Sequence, residues 1–285
     1  MADQQVLFCA GYSYSAAALA PHLLTRGWRV IGTARGPEKM AKMQAEGVAP
    51  VQWSDTDAMA TALSEATHLL ISAAPDQDGD QTLRALGPFL PDATLKWAGY
   101  LSTTGVYGDH QGGWVTEETP LTPATKRGQM RVKAEAEWRA TNVPLHIFRL
   151  AGIYGPGRGP FSKVRNGTAR RIIKAGQLFS RIHRDDIAAA LLASIDKPRP
   201  GAAYNLCDNE AAPPQDVISF AAELLGVAPP PETPIEQAEM SPMAASFYSE
   251  SKRVSNKLMR EELGVDPKYP TYREGLRALL AEEQK

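Results

Sequence analysis

Residues 6–16 of this 285-residue chain read VLFCAGYSYSA. They contain an apolar run that ends at Gly11 and the beginning of a segment with helical spacing. The five apolar residues before Gly11 predict a strand that is buried on both faces. From Ser15 to Arg26, small and apolar residues recur at helical spacing, and Gly27 follows as glycine often does at a helix end. The stretch therefore predicts a strand, a tight turn and a helix.

The alternation of a short apolar strand with a longer amphipathic helix continues over the first two hundred residues. Further strands are predicted over Arg29–Thr33, Pro50–Trp53, His68–Ala74, Leu95–Ser102 and Leu145–Leu150. Strands joined by helical crossovers run parallel, because only a long connection returns the chain to the same edge of a sheet. We therefore expect an α/β fold with helices on both faces of a parallel sheet.

The turn after the first strand is similar to a phosphate-binding turn. Against the pattern G-x-G-x-x-G, Gly11 matches, while Ser13 and Ala16 replace the other glycines with the smallest alternatives. The alternative pattern G-x-x-G-x-x-G would put Tyr14 at a glycine position, so the first pattern is preferred. Tyr14 is included with Gly11, Ser13 and Ala16 among the predicted cofactor contacts. The helix amino terminus would face a pyrophosphate. The alternative is an ordinary strand–helix connection.

The end of the second predicted strand indicates which dinucleotide would bind. NAD sites usually place an acidic residue there for the ribose 2′-hydroxyl, whereas this chain has Thr33 and Arg35. A guanidinium can pair with a 2′-phosphate, so the sequence favours NADP as the cofactor, and NAD stays an option. The alternative is that Arg35 is a solvated surface residue. Ala73, Ala74 and Pro75 are small residues that would let the cofactor approach the backbone.

Composition narrows the class of protein. Hydrophobic residues make up 43% and charged residues 22%, which is usual for a globular domain. The net charge of -1 argues against a nucleic-acid or membrane partner. Cys9 and Cys207 form no disulfide framework or metal-binding pattern, so no metal is expected. No secretory signal or bilayer-length apolar run is visible, and the expected location is the cytoplasm.

The pattern of predicted elements changes after Leu150. Helices are predicted over Lys163–Ala175 and Ser251–Leu263, and an irregular loop over Pro229–Pro234. Ser180–His183 and Ala203–Leu206 are predicted to return to the sheet.

Several later segments carry a resemblance to a known family. They read LSTTGVYG (101–108), VTEETP (115–120), KAEAE (133–137), FRLAGIYGPG (148–157) and RIHRDDIA (181–188). Together they resemble the motifs of the extended and atypical short-chain dehydrogenases/reductases, which include NAD(P)-dependent epimerases and dehydratases. The resemblance implies a Rossmann-type doubly wound parallel sheet with a smaller, mostly helical C-terminal lobe. Residues 1–154 with 179–206 would form the NAD(P)-binding domain, and 155–178 with 207–285 the substrate-binding lobe.

The resemblance also assigns catalytic positions. In this superfamily a Ser or Thr, a Tyr and a Lys do the chemistry, and Thr103 and Lys133 fall on two of these positions. Lys133 would also bind the nicotinamide ribose; alternatively, it is a solvated helix residue paired with a glutamate. The tyrosine position, four residues before the lysine, holds Gln129. A glutamine amide does not titrate near neutral pH, so it cannot act as an acid or base.

The sequence leaves three functions open. If Tyr107, Tyr154 or His183 replaces the tyrosine, the resemblance implies an NADP-dependent oxidoreductase or epimerase for a nucleotide sugar or a similar hydroxylated small molecule. Without such a replacement, the protein binds NADP as a regulatory or sensor protein. The third function is a structural module that binds no dinucleotide. The family resemblance makes a homodimer plausible, although no residue indicates one.

Overall fold

The structure is a computed structural model that describes residues 4–284. In chain order, the strands of these residues are β1 Val6–Ala10, β2 Arg29–Ala34, β3 Ala49–Gln52, β4 His68–Ile71, β5 Trp97–Thr103, β6 Trp114–Val115, β7 Leu145–Leu150, β8 Gly152–Tyr154, β9 Arg171–Ile173, β10 Arg181–His183, β11 Ala203–Leu206, β12 Glu232–Pro234 and β13 Arg253–Val254.

The α-helices of the same residues follow these bounds: α1 Tyr14–Thr25, α2 Pro37–Ala45, α3 Thr56–Glu65, α4 Gln81–Leu86, α5 Lys126–Arg139, α6 Phe161–Arg165, α7 Arg184–Asp196, α8 Pro214–Leu224, α9 Pro242–Tyr248, α10 Lys257–Glu261 and α11 Tyr272–Glu283. Short 3₁₀ helices cover Gly87–Asp92, Thr104–Tyr107 and Ile235–Gln237. None of the helices within residues 4–284 is long and apolar enough to cross a membrane.

A seven-stranded sheet has the order β11-β7-β5-β4-β1-β2-β3. β1 pairs in parallel with β2, where Val6 lies opposite Arg29, and with β4, where Leu7 lies opposite His68. β2 pairs in parallel with β3, and β4 with β5. The predicted parallel α/β sheet is confirmed. Because the winding direction reverses at β1, ligands are expected beyond the carboxyl ends of β1 and β4.

Helices cover this sheet and bury its inner strands. Every residue of β1 and of β4 is buried, as expected for parallel strands covered on both faces. One hydrophobic cluster contains Phe8 of β1, Leu69 of β4, Tyr100 of β5 and Trp138 of α5. The packing of Trp138 fixes α5, which carries the predicted lysine, against the sheet.

The chain divides into two compact units. The first unit is Met1–Thr103, Gln129–Arg149 and Ile187–Tyr204, and the second is Thr104–Gly128, Leu150–Asp186 and Asn205–Lys285. Residues 104–128, 150–154, 179–186 and 205–206, which were expected in the NAD(P)-binding domain, belong to the second unit. The assignment of cofactor and substrate binding to separate parts of the chain stays a prediction.

Two helix predictions in the second unit were wrong. The helix predicted over Lys163–Ala175 is limited to α6, because Gly167 has a φ of 66° and the β-branched Ile172 and Ile173 form β9. The helix predicted over Ser251–Leu263 is instead β13 followed by α10. Pairing of β13 with β6 overrides the helical pattern there.

Strand predictions after Leu150 had mixed outcomes. Ala203–Leu206 forms β11 at the edge of the seven-stranded sheet, as predicted. Ser180–His183 does not join that sheet, because β10 pairs in parallel with β8. The predicted loop Pro229–Pro234 contains β12, which pairs with β9. Short pairs of this kind were invisible to sequence periodicity, since three residues show too little alternation.

Candidate functional site

The turn after β1 brings two backbone segments of the first unit into close approach. Gly11 has a φ of 89°, a conformation that side chains disfavour. A Cβ atom at Gly11 would lie 2.9 Å from the backbone nitrogen of Ala73, in the loop after β4. Ser72 Oγ donates to the Gly11 carbonyl oxygen at 2.7 Å. The first glycine of the predicted turn is therefore required by both conformation and space.

Ser13 has a local role that explains a serine at the second glycine position. It is the N-cap of α1, and its Oγ accepts a hydrogen bond from the Ala16 backbone N–H at 3.2 Å. A serine cap stabilises a helix start by satisfying a donor that has no partner within the helix. Ala16 is buried, whereas Ser13 and Tyr14 are half-buried. The residue at the second glycine position therefore caps α1.

Thr33 supports the turn from β2. It is buried, and its Oγ1 accepts a hydrogen bond from the Gly11 N–H at 2.6 Å. This hydrogen bond holds the end of β1 beside the end of β2, and a contact of Thr33 with the cofactor stays a prediction.

Arg35 lies one residue beyond β2 and is exposed. Its guanidinium donates to Gln81 Oε1 at 2.7 Å, and Gln81 Nε2 donates to the Ala74 carbonyl oxygen at 2.7 Å. Gln81 therefore links Arg35 to the loop that contains Ala73, Ala74 and Pro75. The structure brings these predicted cofactor contacts to one edge of the sheet, and sequence reasoning missed Gln81 as the residue that joins them.

This edge fits a dinucleotide. A Cβ atom would fill the space at Gly11, α1 begins immediately afterwards, and the positive end of a helix dipole favours phosphate. Arg35 provides a solvent-accessible guanidinium at the position where a ribose 2′-substituent would lie. The chemistry of these residues suits a phosphorylated nucleotide better than an uncharged ligand.

Helix α5 presents the two predicted catalytic positions to solvent. Gln129 and Lys133 are both exposed, and their spacing of four residues puts them on one face of the helix. The Lys133 side chain is 65% exposed, and its Nζ lies 3.6 Å from Glu137 Oε1. Lys133 therefore makes the i,i+4 pair that the sequence analysis held as the alternative, and it keeps its ammonium accessible.

A buried network fastens α5 to the end of β5. Ser102 Oγ donates to Glu135 Oε1 at 2.5 Å, and Arg149 of β7 pairs with Glu135 Oε2 at 2.8 Å. Both members of the ion pair are almost fully buried. Thr103 follows Ser102 directly and is half-buried. The network joins three of the motif segments and holds Thr103 at a fixed place relative to α5.

Arg131 adds a second connection between the same elements. One guanidinium nitrogen donates to the Leu101 carbonyl oxygen at 2.9 Å and to the Tyr100 hydroxyl at 3.0 Å. Sequence reasoning missed this residue and the buried ion pair. The motifs contained Arg149 and Glu135, but their pairing depends on the separation of β7 and α5, which no local pattern gives.

Tyr107, the first candidate for the missing acid or base, lies in the second unit and is fully buried. Its hydroxyl donates to Asn205 Oδ1 at 2.6 Å. The packing role that tyrosines usually have in a core accounts for this position.

The other two candidates also lie in the second unit. Tyr154 is 7% exposed and His183 is 1% exposed. Burial lowers the pKa of His183 to about 4, and its Nδ1 accepts from the Asp185 N–H at 3.2 Å. Burial, reinforced by Asp208 and Asp186, raises the pKa of Tyr154. Both rings pack together with a centroid separation of 5.2 Å. These are properties of core side chains.

Asp208 in the same unit gives a pH-dependent prediction. Burial raises its pKa to about 8. The folded protein then holds a proton that the unfolded chain releases above about pH 4, so this group's contribution to stability falls as pH rises from about 4 to 8. We expect the melting temperature of the wild type to fall more over this range than that of Asp208→Asn. Parallel curves for the two proteins would show that Asp208 does not titrate in this way.

Fold, motifs and relatives now define the class. The chain belongs to the extended short-chain dehydrogenase/reductase superfamily. Protein YeeZ of Escherichia coli strain K12 is 32% identical over 237 residues, which cover 77% of this chain and 84% of that protein. A 3-diazoavenalumate denitrifying reductase of a Streptomyces species is 28% identical over 163 residues, covering 52% and 51% of the two chains. No protein-family model matches the chain.

Solved structures extend the comparison. A conserved protein of unknown function from Silicibacter pomeroyi DSS is 55% identical, covers 98% of this chain and 99% of its own, and superposes with a TM-score of 0.94. The human epimerase family protein SDR39U1, solved with NADPH, is 18% identical, with 98% and 99% coverage and a TM-score of 0.79. The latter likeness shows a shared fold.

Proposed function

We propose that this protein binds NADP(H) at the edge of the sheet formed by the turns after β1, β2 and β4. The observation that carries the proposal is the close approach of Gly11 to Ala73, next to the start of α1. The human relative solved with NADPH supports a dinucleotide at a sheet of this kind. Arg35 favours NADP(H) over NAD(H), because it would pair with the 2′-phosphate.

The reactive end of the cofactor would lie at β5 and α5. NADPH supplies a hydride when bound. Lys133 would exchange its pairing with Glu137 for the nicotinamide ribose hydroxyls, and Thr103 would orient the substrate. Gln129 can donate and accept hydrogen bonds there but cannot move a proton.

Reduction is the reaction class that these residues support best. An epimerase or dehydratase of this superfamily begins by removing a proton from a hydroxyl, and Gln129 cannot accept that proton. The similarity to a 3-diazoavenalumate denitrifying reductase supports reduction as well. We therefore propose an NADP(H)-dependent oxidoreductase, and nucleotide-sugar substrates and a homodimer stay predictions of the family resemblance.

Arg35→Ala is expected to weaken NADPH binding by about 10- to 100-fold, because hydrogen bonds to charged groups contribute roughly 1.5–3 kcal/mol. NADH lacks the 2′-phosphate, so its affinity should stay within a few-fold. Calorimetric titration of both cofactors measures this. Arg84→Ala removes an equal charge at an exposed arginine that pairs with Asp76, and it should leave the preference intact. An equal loss for NADPH and NADH in Arg35→Ala would contradict the assignment.

A second candidate function is an NADP(H) sensor without turnover. The burial of Tyr107, Tyr154 and His183 favours it, since none of the three is accessible as a substitute for the tyrosine. A sensor binds NADPH and NADP⁺ but never converts one to the other in the presence of a substrate. Stable NADPH absorbance with every class of acceptor, despite tight binding, would favour the sensor over the oxidoreductase.

A further inference from the structure

We infer that the substrate reduced at this site is a cationic electrophile, an iminium or related cation, rather than a ketone or aldehyde. This inference rests on the proposed NADP(H)-dependent reduction and names its substrate class. Two features of the first unit carry it: the side chain at the tyrosine position, and the charge of the loop beside Lys133.

The first feature concerns the proton. Hydride addition to a ketone leaves an alkoxide, which needs a proton from a nearby acid as the C–H bond forms. Hydride addition to an iminium ion forms the C–H bond while the C=N π pair moves to nitrogen, and the product is a neutral amine. The hydride carries both electrons and the cofactor is oxidised, so that reaction is balanced without a proton. A site with Gln129 at the proton-donor position suits the second reaction.

Two titratable groups of β5 and α5 in the first unit have structural partners. Glu135 is buried in its ion pair with Arg149, and the Tyr100 hydroxyl is buried and accepts from Arg131. Burial raises the pKa of Tyr100, so it does not donate a proton readily. Lys133 is an accessible cation on the same face of α5 as Gln129, and its partner carboxylate lies 3.6 Å away.

The second feature is the acidic loop, defined here as residues 76–80, which follows Pro75 directly. It contains Asp76, Asp78 and Asp80. A Cβ atom on Gly79 would lie 3.9 Å from both Glu137 Oε2 and Arg84 Nη1, so the loop lies against α5 near the carboxylate that pairs with Lys133. Carboxylates at this position create a negative potential that attracts cations and repels anions.

Two of the three aspartates in the acidic loop have structural partners. Asp76 pairs with Arg84 at 2.8 Å, and Asp80 Oδ1 caps α4 by accepting from the Leu83 N–H at 2.9 Å. Asp78 is exposed. Asp78 is therefore the carboxylate of this loop most available to a cationic ligand.

The kinetic test compares two bicyclic probes of similar size. N-methyl-3,4-dihydroisoquinolinium is a cationic iminium, and 1-tetralone is a neutral ketone. Each stopped-flow rate of NADPH oxidation is divided by the uncatalysed rate of the same probe. The resulting acceleration should be at least about 100-fold greater for the iminium than for tetralone, the range that a general acid normally supplies for the ketone. Gln129→Tyr should raise the acceleration for tetralone and shrink this ratio. Equal acceleration of the two probes by the wild type would overturn the inference.

The binding test does not depend on turnover. With the protein saturated by NADP⁺, no hydride can move, and calorimetry measures each probe alone. We expect the iminium to bind at least about tenfold more tightly than tetralone, a difference of roughly 1.4 kcal/mol. Asp78→Asn should reduce that preference, while Asp57→Asn, an equal charge change at an exposed residue of α3, should not.

The outcomes separate this inference from the function on which it rests. Absence of NADP(H) binding in the same calorimeter would overturn the proposed function. Tight NADP(H) binding with no preference for the cation, in binding or in hydride transfer, would overturn only the substrate class.

Discussion

Arg149→Met is expected to lower the free energy of unfolding by about 3–5 kcal/mol, the usual effect of removing one member of a buried ion pair. The Glu135 carboxylate would stay buried beside Ser102 with no cation to balance it. Chemical denaturation of the wild type and the variant measures the difference.

A double variant gives the matched comparison. Glu135→Met combined with Arg149→Met removes both charges, and it should recover most of the loss, because apolar replacements of a buried pair are often neutral. Arg139→Met tests an exposed arginine that donates to the Gly201 carbonyl oxygen, and we expect it to cost less than about 1 kcal/mol. Equal losses of unfolding free energy for Arg139→Met and Arg149→Met would show that the buried ion pair stabilises the fold no more than an exposed hydrogen bond does.

Gly11→Ala is expected to weaken NADP(H) binding and to destabilise the fold. A left-handed conformation costs an alanine about 1–2 kcal/mol, and the new Cβ atom would lie 2.9 Å from the Ala73 nitrogen. Relief of that contact must separate the turn after β1 from the loop after β4. We expect at least a tenfold loss of NADPH affinity, a change of about 1.4 kcal/mol.

Gly27→Ala is the control for backbone strain. Gly27 has a φ of 78°, and no atom lies within 4 Å of the position where its Cβ would be. The control should lose stability from conformation alone and should keep NADPH affinity. If Gly27→Ala and Gly11→Ala lose affinity equally, the close approach at Gly11 is not part of the cofactor site.

The first half of the fold could be predicted because its signals are local. The apolar run Val6–Ala10 and Gly27 after α1 each act over one strand or one turn, and the structure has β1 and the end of α1 where they were expected. The motif identified Ser13 as the residue at the second glycine position. Its role as the N-cap of α1 depends on a backbone conformation that the motif alone did not show.

The remaining features depend on contacts between distant segments. β13 forms because Arg253 and Val254 pair with Trp114 and Val115, about 140 residues earlier in the chain, and this pairing overrides a helical pattern. The burial of Tyr107 and His183 likewise depends on tertiary packing. Motif spacing identified these residues as candidates, but only the folded chain shows that they are buried.

The central claim is that the first unit binds NADP(H), and equilibrium titration of the purified protein with NADPH and NADH tests it most directly. We predict NADPH binding with a Kd below about 10 µM, close to 7 kcal/mol of binding free energy, and weaker binding of NADH. Failure to bind either cofactor at millimolar concentration would contradict the claim and leave a Rossmann-type protein whose function does not involve a dinucleotide.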